Sequence, residues 1–170
     1  MIVKTERLIL RDVTIDDSKD IFEYMGNIEN TKYMYFGSYK DELEVKKFIE
    51  TYLYNEDLKA HMFVVELDGK VIGDVSIYDE EEYAELAWVF NKEFHNKGYA
   101  YEAVKKYIDY LKENYNYKYF IARADIRNNP SIKLMKKLNM IYVLTEERVY
   151  PDGRPTSEEV EYRLDINKGE

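Results

Sequence analysis

Tyr83-Ala84-Glu85-Leu86-Ala87-Trp88-Val89-Phe90 is followed, after Asn91-Lys92-Glu93, by Phe94-His95-Asn96-Lys97-Gly98-Tyr99-Ala100. The first stretch reads as a strand. From Gly98 to about Asn114, apolar residues stand at 100, 103, 104, 107, 108 and 111, the spacing of one helix face. Residues 117–124 read as a strand again. A strand, a helix and a strand in that order need a crossover. The strands 83–90 and 117–124 are therefore expected to pair in parallel, through a right-handed connection.

Working outward, residues 61–67 and 71–78 are strands joined by Asp68-Gly69, a two-residue hairpin turn. With strand 83–90 they make an antiparallel meander. Further upstream, residues 7–13 form a strand. Thr14-Ile15-Asp16-Asp17 then caps a helix that runs to about Met25. Residues 27–39 are irregular and aromatic, and a second helix follows from about Asp41 to Tyr54. Downstream, Asn129-Pro130 starts a helix, with asparagine as cap and proline in the first helical position. It ends near Leu138. Strands 140–148 and 158–164 close the chain, joined by a long turn at 150–155. The expected fold class is α/β: a mixed, mostly antiparallel sheet with one parallel pair and helices on its faces.

Length and charge limit what such a sheet does. A chain of 170 residues suits a single domain over 1–170 and leaves no room for two cores. Lys and Arg total 25 against 34 Asp and Glu, a net charge of -9. That balance repels phosphate backbones, so nucleic acid is not an expected partner, whereas a cationic small molecule or a basic peptide end is attracted. The absence of cysteine excludes disulfides, thiolate zinc sites and a cysteine nucleophile. His61 and His95 are the only histidines, too few for a multi-histidine site, and no metal is expected. No apolar run exceeds five residues, so no membrane-spanning helix is expected. The polar N-terminal stretch lacks a secretory signal, and the expected location is the cytoplasm.

Chemistry concentrates in the loop 94–100. Gly98 and Ala100 allow a ligand close to the backbone. The first-turn N–H groups of the following helix have no intrahelical acceptor and carry the positive end of its dipole. Such a helix start holds a phosphate or pyrophosphate without formal charge. From spacing alone, a plain loop opening a helix fits equally well.

These residues resemble a known family. His95-Asn96-Lys97-Gly98-Tyr99-Ala100 is similar to the Q/R-x-x-G-x-G/A acetyl-CoA signature of the Gcn5-related N-acetyltransferases (GNAT). Thr5-Glu6-Arg7-Leu8-Ile9-Leu10-Arg11 resembles the opening strand of its RimJ/RimL-like branch. Ala84 to Phe90 resembles that branch's fourth strand, and Gly98 to Val104 its helix start. Asn128 to Met140 follows its N-x-x-S-I-x-x-x-x-K-L-G-F pattern. Three positions depart from the family. His95 replaces a glutamine or arginine. Asn139 replaces a glycine and tolerates the same left-handed turn. Met135 stands where many members carry a tyrosine that protonates the leaving thiolate.

The resemblance implies a GNAT-like sheet whose parallel pair splays at its centre, with helices on both faces. It implies acetyl-CoA as cosubstrate and a primary amine as acceptor. The acceptor is either a protein N-terminus or a small amine such as a polyamine, an amino acid or an aminoglycoside. Glu85 is the expected base, acting through water. On its strand it shares a face with Ala87 and Val89, opposite Leu86, Trp88 and Phe90. Small and apolar neighbours would raise its pKa toward a useful range. Trp88, Val89 and Phe90 are expected along the coenzyme arm, with N–H groups near Val89 and Phe90 serving the thioester carbonyl. His95, Asn96, Lys97, Gly98, Tyr99, Ala100 and Tyr101 form the expected pyrophosphate site. Asn128 either holds the coenzyme or caps its helix. Ser131 either protonates the thiolate, contacts the coenzyme or serves as a cap hydroxyl. Tyr33 and Tyr35, with Tyr39, either wall the acceptor site or pack in the core or a dimer contact. Tyr142 reads as a core phenol. A catalytically silent acyl-CoA-binding module is the alternative, and a monomer or homodimer is expected.

Overall fold

A computed structural model describes residues 2–55 and 57–166 of the chain. Its strands are β1 (Ile2–Lys4), β2 (Ile9–Asp12), β3 (Ala60–Leu67), β4 (Lys70–Glu80), β5 (Tyr83–Phe90), β6 (Tyr119–Asp125), β7 (Ile141–Arg148) and β8 (Ser157–Asp165). Its helices are α1 (Ser18–Met25), α2 (Ile28–Thr31), α3 (Glu42–Tyr54), α4 (Tyr99–Asn114) and α5 (Asn129–Lys137). The strands form one eight-stranded sheet in the order β1-β2-β3-β4-β5-β6-β8-β7. All neighbours are antiparallel except β5 and β6, the parallel pair at the centre.

Each sheet face has its own core. The apolar stripe of α4 (Ala103, Val104, Tyr107, Ile108, Leu111) is buried against Leu10, Phe63, Val75, Ile77 and Leu86. Each fully buried aliphatic side chain of this kind contributes about 1.5–3 kcal/mol. Met135 of α5 and Val160 of β8 extend that core. On the opposite face, Ile21, Tyr24 and Met25 of α1 and Val45 and Ile49 of α3 pack on Met62, Val64 and Val71. These helices lie over β3 and β4. Beyond them, Glu85, Ala87 and Val89 of β5 stay half-exposed while Ala84, Leu86 and Phe90 are buried.

The elements differ from the sequence expectation mainly as follows. Strand 7–13 is shorter, at Ile9–Asp12, and pairs with the three-residue β1, which lies outside the predicted strand. The segment 27–39 contains α2, a single turn capped by Asn27. Helix α5 is capped by Asn128 rather than Asn129, because its Oδ1 accepts from the Ser131 N–H at 3.3 Å; Pro130 is therefore the second helical residue. Tyr142 is exposed on the edge strand β7, which has a neighbour only in β8.

Strands β4 and β5 approach closely at Gly73. A Cβ there would lie 2.5 Å from the Val89 carbonyl oxygen and 2.6 Å from the Phe90 ring. Backbone cannot yield as a flexible side chain does. Gly73→Ala is expected to cost about 1–3 kcal/mol, the usual scale of overpacking. A lower urea midpoint with unchanged far-ultraviolet circular dichroism checks this.

Candidate active site

The parallel ladder has only three pairs: Tyr83 with Tyr119, Ala84 with Phe120 and Glu85 with Ile121. Beyond them β5 keeps its pairing with β4 as far as Phe90 and Gly73. β6 keeps its pairing with β8 as far as Asp125 and Glu159. The two strands therefore part after Glu85, and the backbone facing the gap is unpaired from β5 to β6. A gap of this kind admits an extended ligand with access to both sheet faces.

Glu85 stands at its mouth. Cross-strand partners share a face, so Tyr78 of β4 lies beside Glu85, Ser76 beside Ala87 and Asp74 beside Val89. Arg123 of β6 donates to Glu85 through Nη1 at 2.9 Å. It also holds Glu161 of β8, through Nε at 2.9 Å and Nη2 at 2.8 Å. Burial pushes the Glu85 carboxyl above its ordinary value, Arg123 and Arg148 pull it down, and Glu161 and Glu80 push it up. The net direction is up, which suits a group that must take a proton near neutral pH.

The other face of the gap carries Trp88 and Ser131. Trp88 Nε1 donates to Ser131 Oγ at 3.0 Å. The serine oxygen is thus an acceptor toward the indole, and its own hydrogen remains to be donated elsewhere. Met135, one turn further along α5, is fully buried in the core and offers no proton.

The loop before α4 has the shape of an anion cradle. Gly98 caps the helix at φ +84, and no side chain caps it. Asn96 also takes a left-handed conformation, at φ 61. The N–H groups of the first turn are therefore directed outward without a side-chain acceptor. His95 turns away from the cradle: its Nε2 is 2.9 Å from the Phe90 carbonyl oxygen and ties the loop to the strand end. Lys97 Nζ folds back onto the Glu93 carbonyl at 3.2 Å. The loop's cations come instead from outside it. A groove of about 460 Å³ is lined by the cations Arg7, Lys105, Lys106 and Lys137 together with the acids Glu6, Glu102 and Asp109, and Lys105 pairs with Asp109 at 2.9 Å. Arg7 is fixed there by Glu102 at 2.6 Å and by donation to the Lys97 carbonyl at 3.1 Å.

Tyr33 and Tyr35 lie outside the cores. Arg127 stands 5.6 Å from the Tyr33 ring, and Arg148 5.5 Å from the Tyr35 ring. The segment is tied to the β7–β8 turn by Arg154, which donates to the carbonyls of Lys32, Met34 and Tyr35. Tyr39 packs on Phe48, and burial raises its pKa to about 12. Arg123, Glu161 and Arg148 are absent from the sequence reading. Only strand register brings them to Glu85, and that register was not legible.

The family model for an acetyltransferase (GNAT) domain matches residues 7–141, and the chain belongs to this family of acetyltransferases. It is similar to the uncharacterized N-acetyltransferase YnaD of Bacillus subtilis strain 168, with 30% identity over 168 residues and 96% of each chain covered. A GNAT-family acetyltransferase from Bacillus anthracis superposes with a TM-score of 0.85 at 27% identity, covering 97% of this chain and 98% of that one. RimL, a ribosomal L7/L12 α-N-protein acetyltransferase solved with coenzyme A, gives a TM-score of 0.85 at 13% identity. It covers 99% of this chain and 100% of that chain, and the likeness is one of fold.

Proposed function

We propose that the chain, as a single RimJ/RimL-like catalytic domain, moves an acetyl group from acetyl-CoA directly to a primary amine. The observation that carries this reading is the gap after Glu85, with a carboxylate on one face and a serine hydroxyl on the other. The ammonium proton first passes to Glu85 through water. The freed amine nitrogen attacks the thioester carbonyl, a C–N bond forms and the C–S bond breaks. The Ser131 hydroxyl gives the leaving thiolate its proton and takes in return the second proton that the nitrogen sheds as the amide forms. The backbone N–H of Phe90, which the β4–β5 register turns toward the gap, stabilises the oxyanion at the scale of one such donor, about 3–4 kcal/mol. Gly98, Tyr99, Ala100 and Tyr101 receive the pyrophosphate on backbone N–H groups. Arg7, Lys105 and Lys137 meet the outer phosphates of the coenzyme. The acceptor enters over Glu85, between Tyr33 and Tyr35 and the charged face of β6 and β8. RimL carries α-N-protein acetyltransferase activity in its name, which makes a protein N-terminus one acceptor class. A small cationic amine is the other.

Heating the protein with acetyl-CoA at about 100 times Kd is expected to add about 2.7 kcal/mol of stability. For a chain of this size that raises Tm by about 5–11 °C. The same protein is then offered a serine-headed peptide, spermidine, an α-amino acid and an aminoglycoside, with thiol release as readout. A Tm rise with thiol release from one amine establishes the enzyme. A Tm rise with no release from any of them, on longer amine series too, leaves the silent coenzyme-binding module, the reading that buried Met135 favours. No Tm rise at millimolar acetyl-CoA overturns both.

A further inference from the structure

Arg123 joins the two halves of the sheet where their backbones separate. Glu85 and Ile121 are the last ladder pair, and Arg123 is the next β6 residue on that face. Nε and Nη2 both go to Oε2 of Glu161, which leaves Nη1 to cross the opening to Glu85. The β6–β8 ladder is already closed by backbone bonds along seven residue pairs from Tyr119–Asp165 to Asp125–Glu159. The arm toward Glu85 has no such backbone beside it. It is the tie that fixes this carboxylate relative to β6.

We propose that Arg123 is a positioning residue that holds the Glu85 carboxylate at the mouth of the gap, aimed at the acceptor amine, with Glu161 as its anchor. The inference rests on the reading of Glu85 as the base. It adds the device that sets where that base sits and how strong it is. Half-buried carboxylates tend toward their protonated form, and a base that is already protonated takes no proton from an amine. The guanidinium opposes that tendency. The groups facing Glu85 are Tyr78 and Glu80 from β4, Arg123 from β6, Arg148 from β7 and Glu161 from β8. Glu80 and Glu161 oppose ionisation, while Arg123 and Arg148 favour it. Arg123 is the cation that also makes a hydrogen bond to Glu85.

Two substitutions pull in opposite directions. Arg123→Met removes the cation, so the Glu85 pKa rises. Glu161→Gln removes a competing anion and leaves Arg123 to Glu85, so the Glu85 pKa falls. The experiment follows the Glu85 carboxyl by ¹³C NMR across pH, with its resonance assigned by its loss in Glu85→Gln. Alongside, kcat/KM is measured against pH with the amine that releases thiol fastest in the panel above. In R123M the NMR titration and the acid limb of kcat/KM are expected to move up together by about one pH unit. Below the limb that is a loss of about tenfold. In E161Q both are expected to move down, and R123K restores part of the R123M shift. The Tm rise with acetyl-CoA shows that each variant keeps its fold.

An equal fall in rate at every pH, with the limb in place, makes Arg123 a structural tie and overturns the proposal. A limb that is absent in E85Q but unmoved in both R123M and E161Q overturns it while sparing the base. A limb that persists in E85Q removes Glu85 as the base, and the positioning role falls with it. Should R123M not fold, the opposite sign expected of E161Q carries the test: a limb that stays or moves up overturns the proposal.

Discussion

Glu85→Gln is expected to lower kcat/KM by about 10²- to 10⁴-fold, the usual contribution of a positioned general base. The amide keeps the size of the side chain and an oxygen that accepts from Arg123 Nη1, so the tie across the gap persists. It takes no proton from an ammonium. Coenzyme binding should survive, because the loop at Gly98 and the Trp88–Ser131 pair lie away from the substituted atom. The Tm rise with acetyl-CoA is the control. The parent's rate should climb with pH through the displaced Glu85 pKa, which burial places above the ordinary carboxylate value. The variant should lack that limb. Turnover of E85Q at the parental rate shows that another group takes the proton.

Much of the fold around this site could be read before the structure was known, and the reason lies in local chemistry. The Asp68-Gly69 turn has positive φ at both positions, which fixes the β3–β4 hairpin from two residues. The α4 stripe is long enough for its period to be unambiguous, and the helix between two strands dictates the parallel pair. Glu85 stands out through the family resemblance; on its strand alone it reads as a solvent-facing carboxylate. What could not be read is what depends on register. Arg123 reaches Glu85 only because β5 and β6 pair at Glu85–Ile121 and no further. Nothing in either strand's own sequence says where that pairing stops. β1 and α2 span three and four residues, too short for a period to register. The contact of the His95 ring with the Phe90 carbonyl could not be read either; it leaves the loop backbone at His95 for the coenzyme. Tyr142 alternates correctly for a strand, but β7 is an edge: the ring is half-exposed against Tyr162, and its hydroxyl meets Thr145.

Asp74→Asn is expected to make the protein more stable above pH 7 and to flatten its dependence on pH. Asp74 is buried on the face of β4 that α1 covers, beside Val89 of β5, and accepts a hydrogen bond from Tyr24 Oη at 2.8 Å. Burial raises its pKa to about 7, and the bond from Tyr24 offsets only part of that. A carboxyl whose folded pKa lies above its unfolded one binds its proton more tightly in the folded state. Its contribution to stability is complete below the unfolded value, about 3.9, and is lost as pH rises through the folded value of about 7. A shift of this size is worth on the order of 4 kcal/mol. Asparagine is neutral at every pH and still accepts from Tyr24, so the fall disappears. Its amide brings new buried donors that cost about 1–3 kcal/mol if unmet. The net gain at pH 8 is then about 1–3 kcal/mol, with a neutral or unfavourable effect at pH 5. Urea unfolding of both proteins at pH 5 and pH 8 measures it. Asp17 and Asp125 titrate in the opposite sense, held low by their arginine partners. They are common to both proteins, so the difference between parent and variant isolates Asp74. Parallel stability profiles would mean that Asp74 is ionised at no cost, through a partner other than Tyr24. A fall confined to the parent means that the sheet carries, next to Val89, a charge it would be more stable without.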